Sequence, residues 1–373
     1  MRKVAVLFGG RSCENEISVL TGVFVLNVLD REKYTVLPVY IHTDGKTYTS
    51  GKMTDLEVFK RGKTDGFQRV FFEGGHLYSL QEKKGKIKDL GKVDAAINCC
   101  HGGLGEGGGV SALMAWNEVA LASPDLTASG VFMDKCTTKL IAKALGIPTV
   151  EYVRVNEKDY EKRGAFLLKT VEARLKYPVV VKPARLGSSI GIEVVKNEEE
   201  LKIALSRAFA LDSRVIIERY LAGKMDVNCA AYVCEEEIVV SEPETAFGDG
   251  IYSFEEKYVK RTEDGRVKLK RGDRCALSKE LRDKIRAYTK TLYKRMNLMG
   301  AVRMDYLVAE GKAYLCEVNT VPGSLAYYLF CERVSDAKNF LSDLIEEGIQ
   351  KAEAEKKTFL SPEILKSVAF KRK

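Results

Sequence analysis

For the first 120 positions, apolar residues fall into runs and periodic stripes that alternate. Residues 3–8 form an apolar run closed by Gly9-Gly10, the pattern of a strand buried on both faces. Apolar side chains then recur at 17, 20, 24, 25, 28 and 29, close to helical spacing. Residues 36–41 are β-branched and apolar and predict the next strand. Residues 42–92 are more polar, with short strand-like pieces such as Val70-Phe71-Phe72 and His76-Leu77-Tyr78, and read as a hairpin-rich insertion. A buried strand returns at 93–99, and a glycine-rich stretch at 102–109 leads into a helix over 110–119. Strand alternating with helix predicts a parallel α/β domain.

A boundary is expected near Ser123-Pro124. The spacing next predicts a helix at 134–145, stopped by Gly146-Ile147-Pro148, a strand at 150–155 and a helix at 158–176. Strands at 179–182 and 192–195 follow, then a helix at 197–210 with Asn197 as cap and Glu200 three residues later. From 215 strands dominate: 215–218, 227–233, 237–241, 301–308 and 313–318. A long helix at 279–297 carries Leu281, Ile285, Tyr288, Leu292 and Met296 on one face, and a last helix covers 335–353. The chain reads as α/β in three parts, 1–123, 124–217 and 218–353, with a tail at 354–373.

Composition narrows the class. The 373 residues are 45% hydrophobic and 30% charged, the balance of a protein with a real core. No uncharged apolar window approaches ~18 residues, so no membrane span is expected. The first apolar run is too short for a signal-peptide core, and a cytoplasmic location is expected. The net charge of +8 is spread along the chain, and no basic stripe interleaved with aromatics suggests nucleic acid. Nine cysteines without a CxxC pair, and only three histidines, leave little for a zinc site and suggest reduced thiols.

Three segments carry candidate chemistry. Gly103-Leu104-Gly105-Glu106-Gly107-Gly108 fits GxGxxG between a strand and a helix, but in the third such unit, without a second strand ending in an acid. A dinucleotide site, an unliganded turn and a different ligand-facing loop all remain open, and His101 beside it favours the last. Gly-Lys-Thr at 45–47 and 62–64 lacks the earlier glycine of a P-loop. The segment Tyr177-Pro178-Val179-Val180-Val181-Lys182-Pro183-Ala184-Arg185-Leu186-Gly187-Ser188-Ser189-Ile190-Gly191 delivers a lysine from a buried strand into a Gly/Ser loop. Its backbone N–H groups suit phosphate oxygens. Arg303-Met304-Asp305 and Glu317-Val318-Asn319 flank a hairpin at Glu310-Gly311. Strand alternation puts Arg303 with Asp305 on one face and Glu317 with Asn319 on one face. Two carboxylates and an amide suit Mg²⁺, and the turn Thr320-Val321-Pro322-Gly323-Ser324 offers N–H groups to an oxyanion.

In order and spacing, these segments resemble the ATP-grasp superfamily and within it the D-alanine–D-alanine ligase family, from residue 3 to about 330. The resemblance implies a three-domain ATP-grasp architecture, with ATP held between the central and C-terminal domains. It implies ligation of two D-alanines through an acyl phosphate for peptidoglycan synthesis, with ATP as co-substrate, two Mg²⁺ (Mn²⁺ substituting) and a homodimer. By the same resemblance Glu14 holds the ammonium of the first D-alanine, and His101 stands near that substrate. Lys135, Lys182 and the loop with Ser189 meet the ATP phosphates, and Glu218-Arg219-Tyr220-Leu221 reads the adenine edge. Lys257 and Tyr258 belong to a closing loop, with Tyr258, Ser188 and Glu14 as a hydrogen-bonded triad. Arg303 and the Gly323 N–H form the oxyanion site, and Asp305, Glu317 and Asn319 hold the metal.

Three departures from the family pattern stand out. Met225 takes the place of the acid expected on the ribose, with Asp226 one position later. Glu106-Gly107-Gly108 replaces Glu-Asp-Gly. Tyr328 falls where a serine grips the second substrate, so Ser324 and Tyr328 are both candidates for that role. A related ligase with a different amine or hydroxy-acid acceptor is therefore the second reading, and the retained Tyr258 favours an amine.

Overall fold

Three sheets organise the chain in a computed structural model that describes residues 1–60, 64–81, 85–245 and 277–356. The first contains β1 (Arg2–Gly9), β2 (Tyr34–Ile41), β3 (Thr47–Thr49), β4 (Gln68–Glu73), β5 (His76–Gln81), β6 (Lys86–Lys92), β7 (Ala95–Asn98) and β8 (Ala120–Leu121). Their order is β6-β5-β4-β3-β2-β1-β7-β8. Strands β2, β1, β7 and β8 run parallel, as the strand–helix alternation predicts. The polar insertion extends the same sheet as antiparallel hairpins.

Period-two alternation in β1 sends Val4, Val6 and Phe8 to one face and Ala5 and Leu7 to the other. On the first face lie α1 (Asn15–Val28) and α9 (Ala337–Ala354), so the last helix returns to the first sheet. On the second lies α3 (Val110–Trp116). A short helix, α2 (Glu57–Lys60), sits within the insertion.

The second sheet is antiparallel, ordered β11 (Glu193–Val195), β10 (Val179–Pro183), β12 (Arg214–Arg219), β9 (Tyr152–Asn156). Helices α6 (Glu157–Leu175) and α7 (Glu198–Phe209) pack over Val179, Val181, Val215 and Ile217. Alternation therefore turns Lys182 and Glu218 to the face opposite α6 and α7. The Asn197 side chain caps α7 by accepting the Glu200 N–H at 2.9 Å, and Glu200 answers by accepting the Lys196 N–H at 2.8 Å.

The third sheet is β14 (Glu237–Val240), β13 (Met225–Cys234), β16 (Val302–Ala309) and β17 (Lys312–Asn319), with β15 (Glu244–Thr245) paired to β13. One face, with Met304, Tyr306 and Val308, is covered by α4 (Leu126–Phe132), α5 (Lys135–Ala144) and α8 (Lys279–Arg295). The opposite face carries Arg303, Asp305 and Leu307.

The three-part division is expected at 123/124 and 217/218. Helices α4 and α5 share their core with the third sheet rather than the second. Strand β12 runs to Arg219 through the second boundary. Helix α4 itself is not foreseen, because Leu-Thr-Ala-Ser-Gly-Val-Phe has no clear apolar period; its start is fixed by Asp125, which accepts the Ala128 N–H at 2.8 Å. Lys257, Tyr258 and most of the tail lie outside the described residues.

Candidate active site

Between the loop that follows β10 and the open face of the third sheet lies a cleft whose lining includes Glu14, Glu106, Lys135, Gly187, Glu317 and Asn319. Lys135 begins α5, where Asp134 caps the helix. Its Nζ donates to the Leu186 carbonyl at 2.6 Å and lies 3.0 Å from Glu317 Oε2. Burial opposes its charge, but Glu317 outweighs burial and raises the Lys135 pKa. Lys182 reaches the same cleft from β10, 2.7 Å from Glu218 Oε2 and 3.7 Å from Cys316 Sγ. A register shift after Asp305 turns Cys316 toward this face.

Asp305 and Glu317 stand directly opposite each other on β16 and β17, and Arg303 stands opposite Asn319. Arg303 grips Asp305 with Nε at 2.7 Å and Nη2 at 2.9 Å, while Nη1 donates to the Tyr328 hydroxyl at 3.2 Å. Asn319 Nδ2 donates to Asp305 Oδ2 at 2.9 Å. Burial and the Glu317 charge push the Asp305 carboxyl up against the pull of Arg303, whereas Lys135 holds Glu317 down despite burial. Among the described residues no three His, Cys, Asp or Glu side chains gather around one point. A pair of facing carboxylates plus one amide oxygen is nonetheless the donor set Mg²⁺ takes when phosphate and water complete its shell.

Glu14 precedes α1, and the Ser188 hydroxyl donates to its Oε1. Two glycines make room for that carboxylate. A Cβ on Gly187 would stand 2.7 Å from Glu14 Oε2, and one on Gly102 (φ 65°) would stand 2.5 Å from it. Ser189 follows Ser188 in the same left-handed conformation, φ 58°, and is exposed.

His101 is buried at the end of the third strand–helix crossover. Its Nδ1 faces the Val321 carbonyl at 2.7 Å, so Nδ1 carries the proton and Nε2 accepts from Thr21 Oγ1 at 2.8 Å. Burial first, then the Arg303 charge, lower its pKa to about 4, against the pull of the Val321 carbonyl; the ring is neutral at pH 7. Thr21 Oγ1 also accepts the Ser324 N–H at 3.1 Å. Glu106 accepts the Gly102 N–H at 2.8 Å and the Val321 N–H at 3.2 Å, and burial pushes its carboxyl up to about 7. Both backbone polar groups of Val321 are thus held by side chains from the N-terminal region.

The turn held this way is strained. Ser324, Leu325 and Ala326 have φ of 51°, 54° and 54°, a left-handed turn of three non-glycine residues. Each such residue costs about 1–2 kcal/mol. Full burial of Leu325, Ala326 and Tyr327 and the Thr21 contact offset that cost. Gly323, at the head of the turn, faces open space.

Glu218, on β12, lies between Lys139 and Lys182. Arg219 points to Glu310 at 3.6 Å, Tyr220 is exposed, and Leu221 joins Leu307 and Tyr314 in an apolar floor. Asp226 pairs with Leu307 in register, so it shares the face of Asp305, while Met225 packs toward the opposite core. The acid one place late is thus the one turned to the site, with Lys224 beside it.

Residues 3–123 match the family model described as D-ala D-ala ligase N-terminus, and residues 141–350 match D-ala D-ala ligase C-terminus. The chain belongs to the D-alanine–D-alanine ligase family. It is 33% identical over 337 residues to a D-alanine–D-alanine ligase of Thermosipho africanus, covering 88% of each chain. It superposes on the crystal structure of the Helicobacter pylori D-alanine–D-alanine ligase with a TM-score of 0.75 at 28% identity, covering 93% of this chain and 98% of that one. A D-Ala:D-Ser ligase of Enterococcus faecalis has the same fold, with a TM-score of 0.72 at 24% identity, covering 94% of this chain and 99% of that one. The three-domain ATP-grasp architecture expected from the sequence is that of the family.

Sequence reasoning singled out neither Thr21 nor Lys139, and it noted Glu106 only within the glycine motif and as part of a departure from the family pattern. Lys139 had a signal: it follows Lys135 by one helical turn, which puts a second charge on the face that α5 buries. Thr21 had none, because its partners lie 80 and 303 residues away. Among the described residues no helix is long and apolar enough to cross a membrane.

Proposed function

We propose that this chain joins two D-alanines into D-alanyl-D-alanine for peptidoglycan synthesis, with ATP as co-substrate and Mg²⁺, or Mn²⁺, as the metal. Family membership across both halves of the chain carries the reading. The cleft geometry supports it by gathering cations and carboxylates near the Gly323 turn. A cytoplasmic enzyme and a homodimer belong to the same reading.

In this reading Lys135, Lys182 and the Ser188-Ser189 loop bind the phosphates of ATP. The segment Glu218-Arg219-Tyr220-Leu221 meets the adenine edge, and Asp226 takes the ribose. Asp305, Glu317 and Asn319 hold Mg²⁺, which when bound supplies positive charge to the phosphate oxygens. Glu14, steadied by Ser188, binds the ammonium of the donor D-alanine and fixes where its carboxylate lies. A carboxylate is a poor electrophile, so one of its oxygens first takes the terminal phosphoryl group, a transfer that rests on positioning and charge neutralisation. The acceptor amine then attacks the carbonyl carbon of this acyl phosphate. Arg303 and the Gly323 N–H stabilise the oxyanion that forms, and inorganic phosphate leaves. Lys257 and Tyr258 have their place in closing the site, since acyl phosphates must be kept from water.

A second reading rests on Tyr328. Its hydroxyl sits 3.2 Å from Arg303 Nη1, where the family pattern has a serine, and with Ser324 it frames the acceptor. That supports a related ligase with another amine or hydroxy-acid acceptor.

The deciding experiment is phosphate release from ATP and Mg²⁺ with and without D-alanine, followed by mass analysis of the product. D-alanine-dependent release yielding D-alanyl-D-alanine is expected. Release only after a second amine or hydroxy acid is added favours the second reading, and no turnover with any amino acid refutes both.

A further inference from the structure

Lys139 is the most deeply buried charge of the described residues near the cleft, with its side chain 0% exposed. It sits one turn after Lys135 on α5 and touches no open surface. Its Nζ lies 2.9 Å from Glu218 Oε1 and 5.6 Å from the centre of the Tyr152 ring. The other oxygen of the same carboxylate, Oε2, lies 2.7 Å from Lys182 Nζ. One carboxylate on β12 is thus shared by two ammonium groups, one sealed in the interior and one at the cleft. Burial alone would raise the Glu218 carboxyl; Lys182 and then Lys139 outweigh it and hold it down at about 2, so it is ionised throughout the working range.

The charges of the trio decide what the cleft presents. Lys182 with Glu218 alone is a neutral ion pair, whose field falls off quickly and offers little to a polyphosphate. With Lys139 the trio carries one net positive charge. Because Lys139 is inside, Lys182 is the member that presents this charge to the cleft. We propose that Lys139 is a positioning residue for nucleotide binding: it shares the charge of Glu218, so that Lys182 keeps its own for a phosphate. The proposal rests on the reading of the cleft as an ATP site. If the parent chain fails to bind ADP, that reading fails; the comparisons below apply to a chain that binds it.

The test is ADP binding, by titration calorimetry with Mg²⁺, to the full chain and its variants, with thermal melts alongside. Lys139→Met keeps the length and apolar stem of the side chain and removes the charge. Its ADP affinity is expected to fall roughly tenfold to thirtyfold, the scale of one unit charge in a partly buried site. In steady state the KM for ATP rises while that for D-alanine stays. Lys139→Arg keeps the affinity within about threefold.

Lys139→Gln separates charge from anchoring: its amide can still donate to the Glu218 carboxylate, so an anchor that only fastens α5 to β12 predicts parent-like ADP affinity, whereas the charge role predicts the same loss as in Lys139→Met. If Lys139→Met does not fold, the comparison of Lys139→Gln with Lys139→Arg carries the test. Parent-like ADP affinity in a folded Lys139→Met or Lys139→Gln, or a folded Lys139→Arg that loses affinity as they do, overturns the proposal.

Discussion

His101 Nδ1 donates to the Val321 carbonyl at 2.7 Å, across 220 residues of chain. This bond ties the end of the first sheet's crossover to the turn that follows the last strand of the third. The turn carries Gly323 and Ser324, so the oxyanion side of the proposed reaction is placed by residues of the N-terminal region. Thr21 and Glu106 add to the same clamp.

Thr21→Val tests that clamp without changing side-chain size. It removes both the proton donated to His101 Nε2 and the acceptor for the Ser324 N–H. Losing partners for buried polar groups costs about 1–3 kcal/mol. We expect kcat/KM for D-alanine to fall roughly tenfold to hundredfold, with ADP affinity unchanged. Thr21→Ser restores the parent value to within a few-fold; equal activity in the valine variant would remove Thr21 from the mechanism.

Arg303→Lys keeps a positive charge and loses the planar fork that grips Asp305 through two nitrogens. A point charge on a flexible stem does not reproduce a preorganised oxyanion donor. The expected loss in kcat is on the order of 10²–10³. Isotopic positional exchange in ATP separates the steps: phosphoryl transfer to the donor continues, and capture by the acceptor slows.

Gly187→Ala places a Cβ 2.7–2.9 Å from the two Glu14 carboxylate oxygens. Either the Ser188 loop or Glu14 must shift, and the ammonium site moves with it. The KM for the donor D-alanine is expected to rise about tenfold or more, the scale of one charge-assisted contact. Kinetics with the two D-alanine sites resolved measure this, and an unchanged donor KM would displace Glu14 from its assigned role.

Glu347 on α9 gives a stability prediction far from the chemistry. It accepts the Gly300 N–H at 2.9 Å, and burial pushes its carboxyl up to about 7, against that N–H and the Lys351 charge. The native state then holds a proton that the unfolded chain gives up near pH 4.5. Its contribution is intact below about pH 4.5 and is lost as pH rises through 7. Denaturant unfolding should show the parent losing up to about 3 kcal/mol between pH 5 and 8 relative to Glu347→Gln. Parallel pH curves for the two proteins would contradict the assignment.

The elements and their chemistry were legible where they depend on neighbours in sequence. Period-two alternation already paired Arg303 with Asp305 and Glu317 with Asn319, because side-chain direction in a strand is local. The apolar runs likewise marked the strands, and the Gly/Ser loop after Lys182 marked one wall of the cleft. What the sequence could not determine is which of these faces meet. Packing of α4 and α5 under the third sheet brings Lys135 to Glu317, and folding β12 beside β10 puts Glu218 between Lys139 and Lys182. Whether Asp226 or Met225 faces the site follows from the register of β13 on β16, a pairing set over some 80 residues of chain. Burial decides the rest. The neutral His101, the raised Glu106 and the sealed charge of Lys139 arise from removing water around groups far apart in sequence, and only the tertiary structure removes it.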